Sequence, residues 1–408
     1  MSRERALHLR WTTWAVLPAV PLVFVTGCGI WDKDRAAEAE WPEQAVARVV
    51  VDVRPDRPVQ PGKPIRVDAH DGRLYAVRLT GPDGRVIPGG NAAGDTSWSN
   101  SEPLAYNTKY TLTASAVDAY GLTATRTESF TTLSPEAEVH ADKVLPEPGS
   151  TVGVGMPITV GFDRPITDPG RRAAVEKRLA VASSVPIEGA WGWVDDSTVR
   201  FRPKDYWPVG TRLSVVTSLI GVDFGAGVYG GEGKPLAFQV GDAVVATVDA
   251  KAHQMTVSRN GQPLKTLPVT AGKAGFETRS GTKVVLGKEA HVLMDGTTVG
   301  IAADSSDGYR LDVYWATRVT WSGEFVHAAP WSVASQGSAN VSHGCVGMST
   351  EDAHWFYDQV KLGDLVTVVN TDSGKAMEPI GNGYGEWNLD WDDWVGHGTT
   401  GAVTTTTL

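Results

Sequence analysis

Two cysteines in 408 residues rule out a disulfide-stapled scaffold, and no CxxC or HExxH run offers the spacing of a familiar zinc site. Positive charge is also short: 37 Lys and Arg stand against 47 Asp and Glu, a formal charge of −10. With no basic stripe to neutralise phosphates, nucleic acid is disfavoured as a partner, and so are anionic surfaces. No apolar run reaches the ~20 residues that a spanning helix needs; the longest, Ala15 to Val25, falls well below it.

What is present has a different character. Strand-forming residues recur throughout, punctuated by 45 Gly and 24 Pro, which is the texture of a mainly β protein with many turns. The length exceeds one domain, since domains run ~100–200 residues. At the N-terminus, Arg3, Arg5 and Arg10 precede the apolar run and then "VTGC", which together read as an export signal over 1–28. "VTGC" resembles the lipobox of bacterial lipoproteins, which implies a lipidated Cys28 as mature N-terminus and attachment to the membrane through a lipid anchor; a plain secretory peptide is the alternative. The acidic, Ala-rich stretch 29–45 reads as a tether.

Beyond it lies a weak repeat. "VQPGKPIRVDA" (Val59–Ala69) parallels "VGVGMPITVGF" (Val152–Phe162), "YNTKYTLTASA" parallels "PVGTRLSVVTS", and "TESFTTL" parallels "LAFQVGD". Alternating apolar and polar positions over units of this length predict two tandem immunoglobulin-like β-sandwiches, at 46–136 and 137–242. The second carries one helix, "DPGRRAAVEKRLAV", opened by Asp168 as N-cap with Pro169 in the first position. A third unit, 243–371, begins with two strands around Asn260-Gly261, a hairpin signal. Its main helix is expected over Thr350–Leu362, with Ser349 as N-cap and Gly363 ending it. In the closing stretch 372–408, Trp387, Trp391 and Trp394 fall at helical spacing, read as a face docked on the third unit with sugar stacking as the alternative, and "TTTTL" is expected to be disordered.

Cys345 lies in "NVSHGCVGMS", just before the capped helix. Because Cys28 has its own explanation, Cys345 is expected as a free thiol in an exported chain, where thiols are kept for chemistry or deep burial. A nucleophilic thiol needs a base, an orienter for that base, and donors for the oxyanion. His343 is two residues away; His327 is eighteen residues upstream, at the end of a strand, and the turn-rich loop between can return the chain alongside it. An imidazolium partner would lower the thiol pKa and enrich the thiolate. A small buried filler remains open, as does a zinc site from His327, His343 and Cys345 with His291 or His354.

"HAAPW…NVSHGCVGMS" resembles the active-site signature of the L,D-transpeptidases, YkuD-fold enzymes that cross-link peptidoglycan. The lipobox, the two sandwiches, "DGYRLDVYWA" and the "GEWNLDWDDW" tail extend the likeness over nearly the whole chain, toward multidomain actinobacterial members. The resemblance implies a fold of two immunoglobulin-like sandwiches, a YkuD-type β-sandwich catalytic domain with one main helix, and a Trp-rich C-terminal subdomain. It implies that Cys345 attacks the third residue of a donor tetrapeptide stem, expels D-Ala and forms a thioester that an acceptor amine resolves into a 3→3 cross-link, with no cofactor and no metal. His327 would take the thiol proton, oriented by a backbone carbonyl near Ala328. The amides of Gly344 and Cys345, with Tyr309, would hold the oxyanion. His343, Ser342, Met294, Trp331, Trp321, Ser322 and Gly323 would border the peptidoglycan stem peptides, beneath a flap at Leu286–Leu311. Carbapenem β-lactams would acylate Cys345. Gly347 stands where the family signature has Asn, which bears on donor binding; a carboxypeptidase or cross-link-editing hydrolase shares the same thioester, and a non-catalytic wall-binding lipoprotein is the other alternative.

Overall fold

The structure is a computed structural model and describes residues 44 and 46–408 except 55 and 373; the signal segment and Cys28 lie outside the described residues. Residues 45–408 form one compact unit. It is mainly β, built from three strand-rich modules in chain order.

Near the N-terminus, a sheet of Arg48–Val51, Arg66–His70, Ser97–Asn100 and Gly89–Asn91 faces one of Val86–Ile87, Arg73–Thr80, Lys109–Val117 and Thr123–Thr131. Inward alternation along Lys109–Val117 buries Tyr110, Leu112, Ala114 and Ala116 against Leu74, Leu79 and Trp98. A second sandwich follows, with Trp191, Trp193, Phe201, Trp207 and Phe162 in its core. Its helix, Pro169–Glu176, opens as the sequence predicts, the Asp168 carboxylate accepting from the Arg171 amide at 2.9 Å. Tyr106 joins the two sandwiches, its hydroxyl donating to the Gly230 carbonyl and accepting from the Gly221 amide.

The C-terminus departs from expectation twice. "TTTTL" is not loose: Ala402–Thr404 pairs antiparallel with Glu188–Trp193, and Thr406–Thr407 pairs parallel with Val181–Ser183, adding an edge strand to each sheet of the second sandwich. Backbone groups that would otherwise sit on open edges thereby find partners. The tryptophans dock on that same sandwich rather than on the third unit. Trp394, on the short helix Trp391–Gly396, is fully buried, donates to the Ala190 carbonyl and lies so close to Gly192 that a Cβ there would come within 2.7 Å of its ring. The Arg202 guanidinium lies 4.9, 5.3 and 5.6 Å from the Trp387, Trp391 and Trp394 rings. Arg200 reaches the same region, pairing with the buried Glu386 carboxylate at 3.0 Å. A charged pair this dry needs its partners, and burial pushes the Glu386 carboxyl up. Truncation of Trp394 to Ala is expected to cost about 3–5 kcal/mol by denaturant titration, the usual range for a buried tryptophan.

In the third unit, five strands are ordered Gln262–Pro268, Gln254–Arg259, Val244–Asp249, Leu365–Val369 and Gly281–Val284, and four are ordered Gly287–Asp295, Arg310–Arg318, Phe325–Ala328 and Val346–Met348. Asn260 and Gly261 both take positive φ, +50° and +77°, as a two-residue hairpin turn demands. Alternation along Val244–Asp249 turns Val244, Ala246 and Val248 inward, where they pack with Val326, Val346, Met348 and Phe356. The helix runs Thr350–Gln359, shorter than the predicted span because Val360 turns extended; its carbonyl takes the Lys288 ammonium at 2.7 Å. Ser349 caps it, accepting from the Asp352 amide at 3.1 Å.

Candidate active site

The parallel pairing of Phe325–Ala328 with Val346–Met348 builds the site. It sets His327 opposite Gly347 and Val326 opposite Val346, so the segment carrying Cys345 enters beside the strand carrying His327. The connecting loop, 330–342, is held down by its own polar groups: the Asn340 side chain accepts from the Ala271 amide and donates to the Ala250 carbonyl, each at 2.9 Å. His327 and Cys345 consequently line one cavity of about 230 Å³, together with Tyr309, Met294, Trp331 and His343.

His327 is 6% exposed, and its Nδ1 lies 2.8 Å from the Ala328 carbonyl. That bond fixes the tautomer with the proton on Nδ1 and leaves Nε2 as an acceptor. Burial holds the ring below the ordinary histidine range. The half-buried, free thiol of Cys345 donates to the Gly323 carbonyl at 3.6 Å. Burial pushes it up to about 11, against a smaller lowering by the Phe325 amide. Both shifts have one cause and one consequence: desolvation penalises thiolate and imidazolium alike, so the resting pair is thiol and neutral imidazole. The enrichment of thiolate expected from the sequence counted the attraction between the charges; burial of both groups works against it.

Gly344 takes φ +117°, a backbone region that disfavours any side chain. Its amide donates to the Ser342 hydroxyl at 3.1 Å, and that hydroxyl donates to the Cys345 carbonyl at 2.6 Å. Ser342 therefore shapes the turn, and the Gly344 amide must exchange this bond before it can serve an oxyanion. Gly347 is tightly packed: a Cβ would come 2.9 Å from that of Ala329 and 3.1 Å from Thr270 Cγ2. Trp331 stands open at the mouth, 6.2 Å ring to ring from His327.

A larger cavity of about 670 Å³ adjoins the first, sharing Met294, Tyr309 and His343 with it. Trp321, Ser322 and Gly323 border it. Ser322 is locked to Asn382 by two bonds of 2.8 and 2.9 Å. The segment Leu286–Leu311, read from the sequence as a flap, supplies the far wall, as strand Gly287–Asp295, the turn Gly296–Val299 and the start of strand Arg310–Arg318. Asp307, on the same connection, pairs with Lys273 and lies 3.3 Å from His343 Nε2; these contacts hold its carboxyl low. His343 also stacks on Tyr309, with ring centroids 5.1 Å apart. The remaining zinc candidates lie elsewhere: His291 pairs with Asp312, and His354 stacks on Trp315.

Beneath the site lies a charged floor that no sequence motif announces. Lys283, fully buried, lies 2.6 Å from Glu324, whose other oxygen lies 3.1 Å from Arg279. Burial pulls the Lys283 ammonium down, and the cluster's charges are felt at the Cys345 thiol. Lys283→Met alone should cost about 3 kcal/mol, because it leaves one buried oxygen of Glu324 without its partner while Arg279 still holds the other, and Lys283→Met with Glu324→Leu should recover part of that loss; thermal melts of the single and double variants check it.

Comparison with known proteins places this geometry. Residues 243–368 match the L,D-transpeptidase catalytic domain family, YkuD, and residues 56–223 match a bacterial Ig domain family. The chain is 42% identical to L,D-transpeptidase 2 of Mycobacterium tuberculosis over 331 residues, covering 81% of this chain and 79% of that one. It is 35% identical to L,D-transpeptidase 5 of the same organism, covering 83% and 73%. The solved L,D-transpeptidase LdtMt1 in complex with imipenem superposes with a TM-score of 0.50 at 42% identity, covering 58% of this chain and 100% of that one. This chain belongs to the L,D-transpeptidase family.

Proposed function

We propose that the chain forms 3→3 peptidoglycan cross-links through a thioester on Cys345. As the thiol approaches the carbonyl of the third, diamino acid residue of a donor tetrapeptide, its proton passes to His327 Nε2. The sulfur–carbon bond forms, the carbon–nitrogen bond to D-Ala breaks, and the leaving amine takes the proton from His327. An acceptor amine from a neighbouring stem, deprotonated by the same imidazole, then attacks the thioester and frees the thiol. The observation that carries this reading is the sharing of one cavity by Cys345 and a His327 whose Nδ1 is tied to a backbone carbonyl.

The oxyanion falls to the Cys345 amide and the Tyr309 hydroxyl, joined by Gly344 once Ser342 lets go. His343 and Met294 stand at the junction of the two cavities, with Trp331 at one mouth and Trp321, Ser322 and Gly323 at the other, as borders for donor and acceptor stems. Close packing at Gly347 leaves donor recognition there to backbone groups and to the neighbouring Ser332. The modules at 46–136 and 137–242 act as a stalk, lifting the catalytic module 243–371 from a lipid on Cys28 at the outer face of the membrane toward the wall; 372–408 clasps stalk to catalyst. By extension from the imipenem complex of the relative, carbapenems acylate Cys345.

The test is incubation of the purified protein with a tetrapeptide donor, with and without an added amine. Cross-linked product that grows with amine concentration supports the transferase, because water at ~55 M must be outcompeted by a bound, oriented amine. Free tripeptide at every amine concentration would make the protein a carboxypeptidase instead.

A further inference from the structure

Among the described residues, the guanidinium of Arg318 in the larger cavity has no carboxylate partner. The cavity's acids are all engaged: Glu324 with Lys283 and Arg279, Asp295 with the amide and hydroxyl of Thr297, Glu277 with the Gly275 amide. Arg279 is engaged too, between Glu324 and Glu378. Arg318 differs. It is half-buried, its guanidinium lies 4.3 Å over the Phe325 ring, and among the described residues no carboxylate lies within ion-pair reach of it.

Its position is defined by the sheet. Arg318 pairs in register with both Gly287 and Phe325, the latter being the residue whose amide bonds the Cys345 sulfur. The charge therefore sits one strand from the nucleophile, on the side of the site that opens past Gly323. Stacking on an aromatic face fixes the plane of a guanidinium and leaves its donor edges outward, a fork that matches a carboxylate bidentately. A partly dried cation with no counter-ion costs stability, and that cost is recovered only when an anion arrives.

Building on the transpeptidase reading above, we propose that Arg318 is the carboxylate receptor of the substrate site: it takes a free carboxylate on the diamino acid of the stem, so the enzyme selects stems in which that group is not amidated. Arg318 is thus a specificity residue, distinct from the groups that move the proton or hold the oxyanion. The competing role, service to the sulfur alone, would aid every donor equally.

The experiment uses the whole protein and two synthetic tetrapeptide donors that differ only in whether the side-chain carboxylate of the diamino acid is free or amidated. Wild type should show a kcat/KM for the free acid ~10–100-fold above that for the amide, the range of a charge-assisted pair. In Arg318→Gln that ratio should fall to near one, and Arg318→Lys should restore part of it, with melting temperatures no lower than wild type showing that both variants fold. A wild-type ratio near one overturns the proposal, as does a ratio that survives the Gln substitution while both rates fall together. If wild type turns over neither donor, yet imipenem still adds its mass to Cys345, the nucleophile stands and both the donor assignment and the Arg318 proposal fail.

Discussion

Cys345→Ala is expected to abolish both turnover of a tetrapeptide donor and covalent capture of imipenem, with no mass added to the intact protein after incubation. The loss should reach at least about 10⁵-fold, because removing a nucleophile in a unit with its base costs nearly all that the unit provides. The substitution itself is mild for the fold: the thiol is half-buried and its one side-chain donation, to the Gly323 carbonyl, is long at 3.6 Å. An unchanged melting temperature would separate lost chemistry from lost structure. Retention of the imipenem adduct in the variant would move the nucleophile elsewhere and end the case for Cys345.

His327→Ala should lose on the order of 10³-fold at neutral pH, within the range for a positioned base, and should change the pH profile. On the proposed mechanism the wild-type proton acceptor is an imidazole that burial holds below the ordinary histidine range, so the rate should be level through neutrality and fall only on the acid side. Without it, attack depends on the thiolate alone. With the thiol pushed up to about 11, the thiolate fraction, and with it the rate, should rise about tenfold per pH unit until near that value. A variant whose rate stays flat between neutrality and about pH 9 would mean the sulfur is already ionised and that desolvation does not govern it. Thiolate absorbance in the ultraviolet gives a second reading: wild type at neutral pH should show none.

The parts that were legible in the sequence share a feature: local signals for turns and caps. Asn260-Gly261, Asp168-Pro169 and Ser349 each act within a few residues, and each is where it was read. The pairing of His327 with Cys345 in one cavity was legible through a motif and a loop long enough to return. What was not legible depended on contacts far apart in sequence. The final strands join a sandwich whose own strands lie some two hundred residues earlier, and repetitive threonine carries no signal of a partner. The charged floor did leave a trace, a lysine in the otherwise apolar "TKVVLG" and a glutamate before "FVHAA"; only the packing of one sheet of the third unit against the other brings Lys283 to Glu324. Burial was the other blind spot: sequence shows that a thiol and an imidazole are near, and not how dry they are.

The closing strands also set an order of events. Because Ala402–Thr404 and Thr406–Thr407 finish the two sheets begun by residues 141–240, a chain still emerging holds its middle module with two bare rims until residues 402–407 are released. Completion of that module thus waits on residues far downstream of it, and a chain that breaks off before them presents sticky edges to its neighbours.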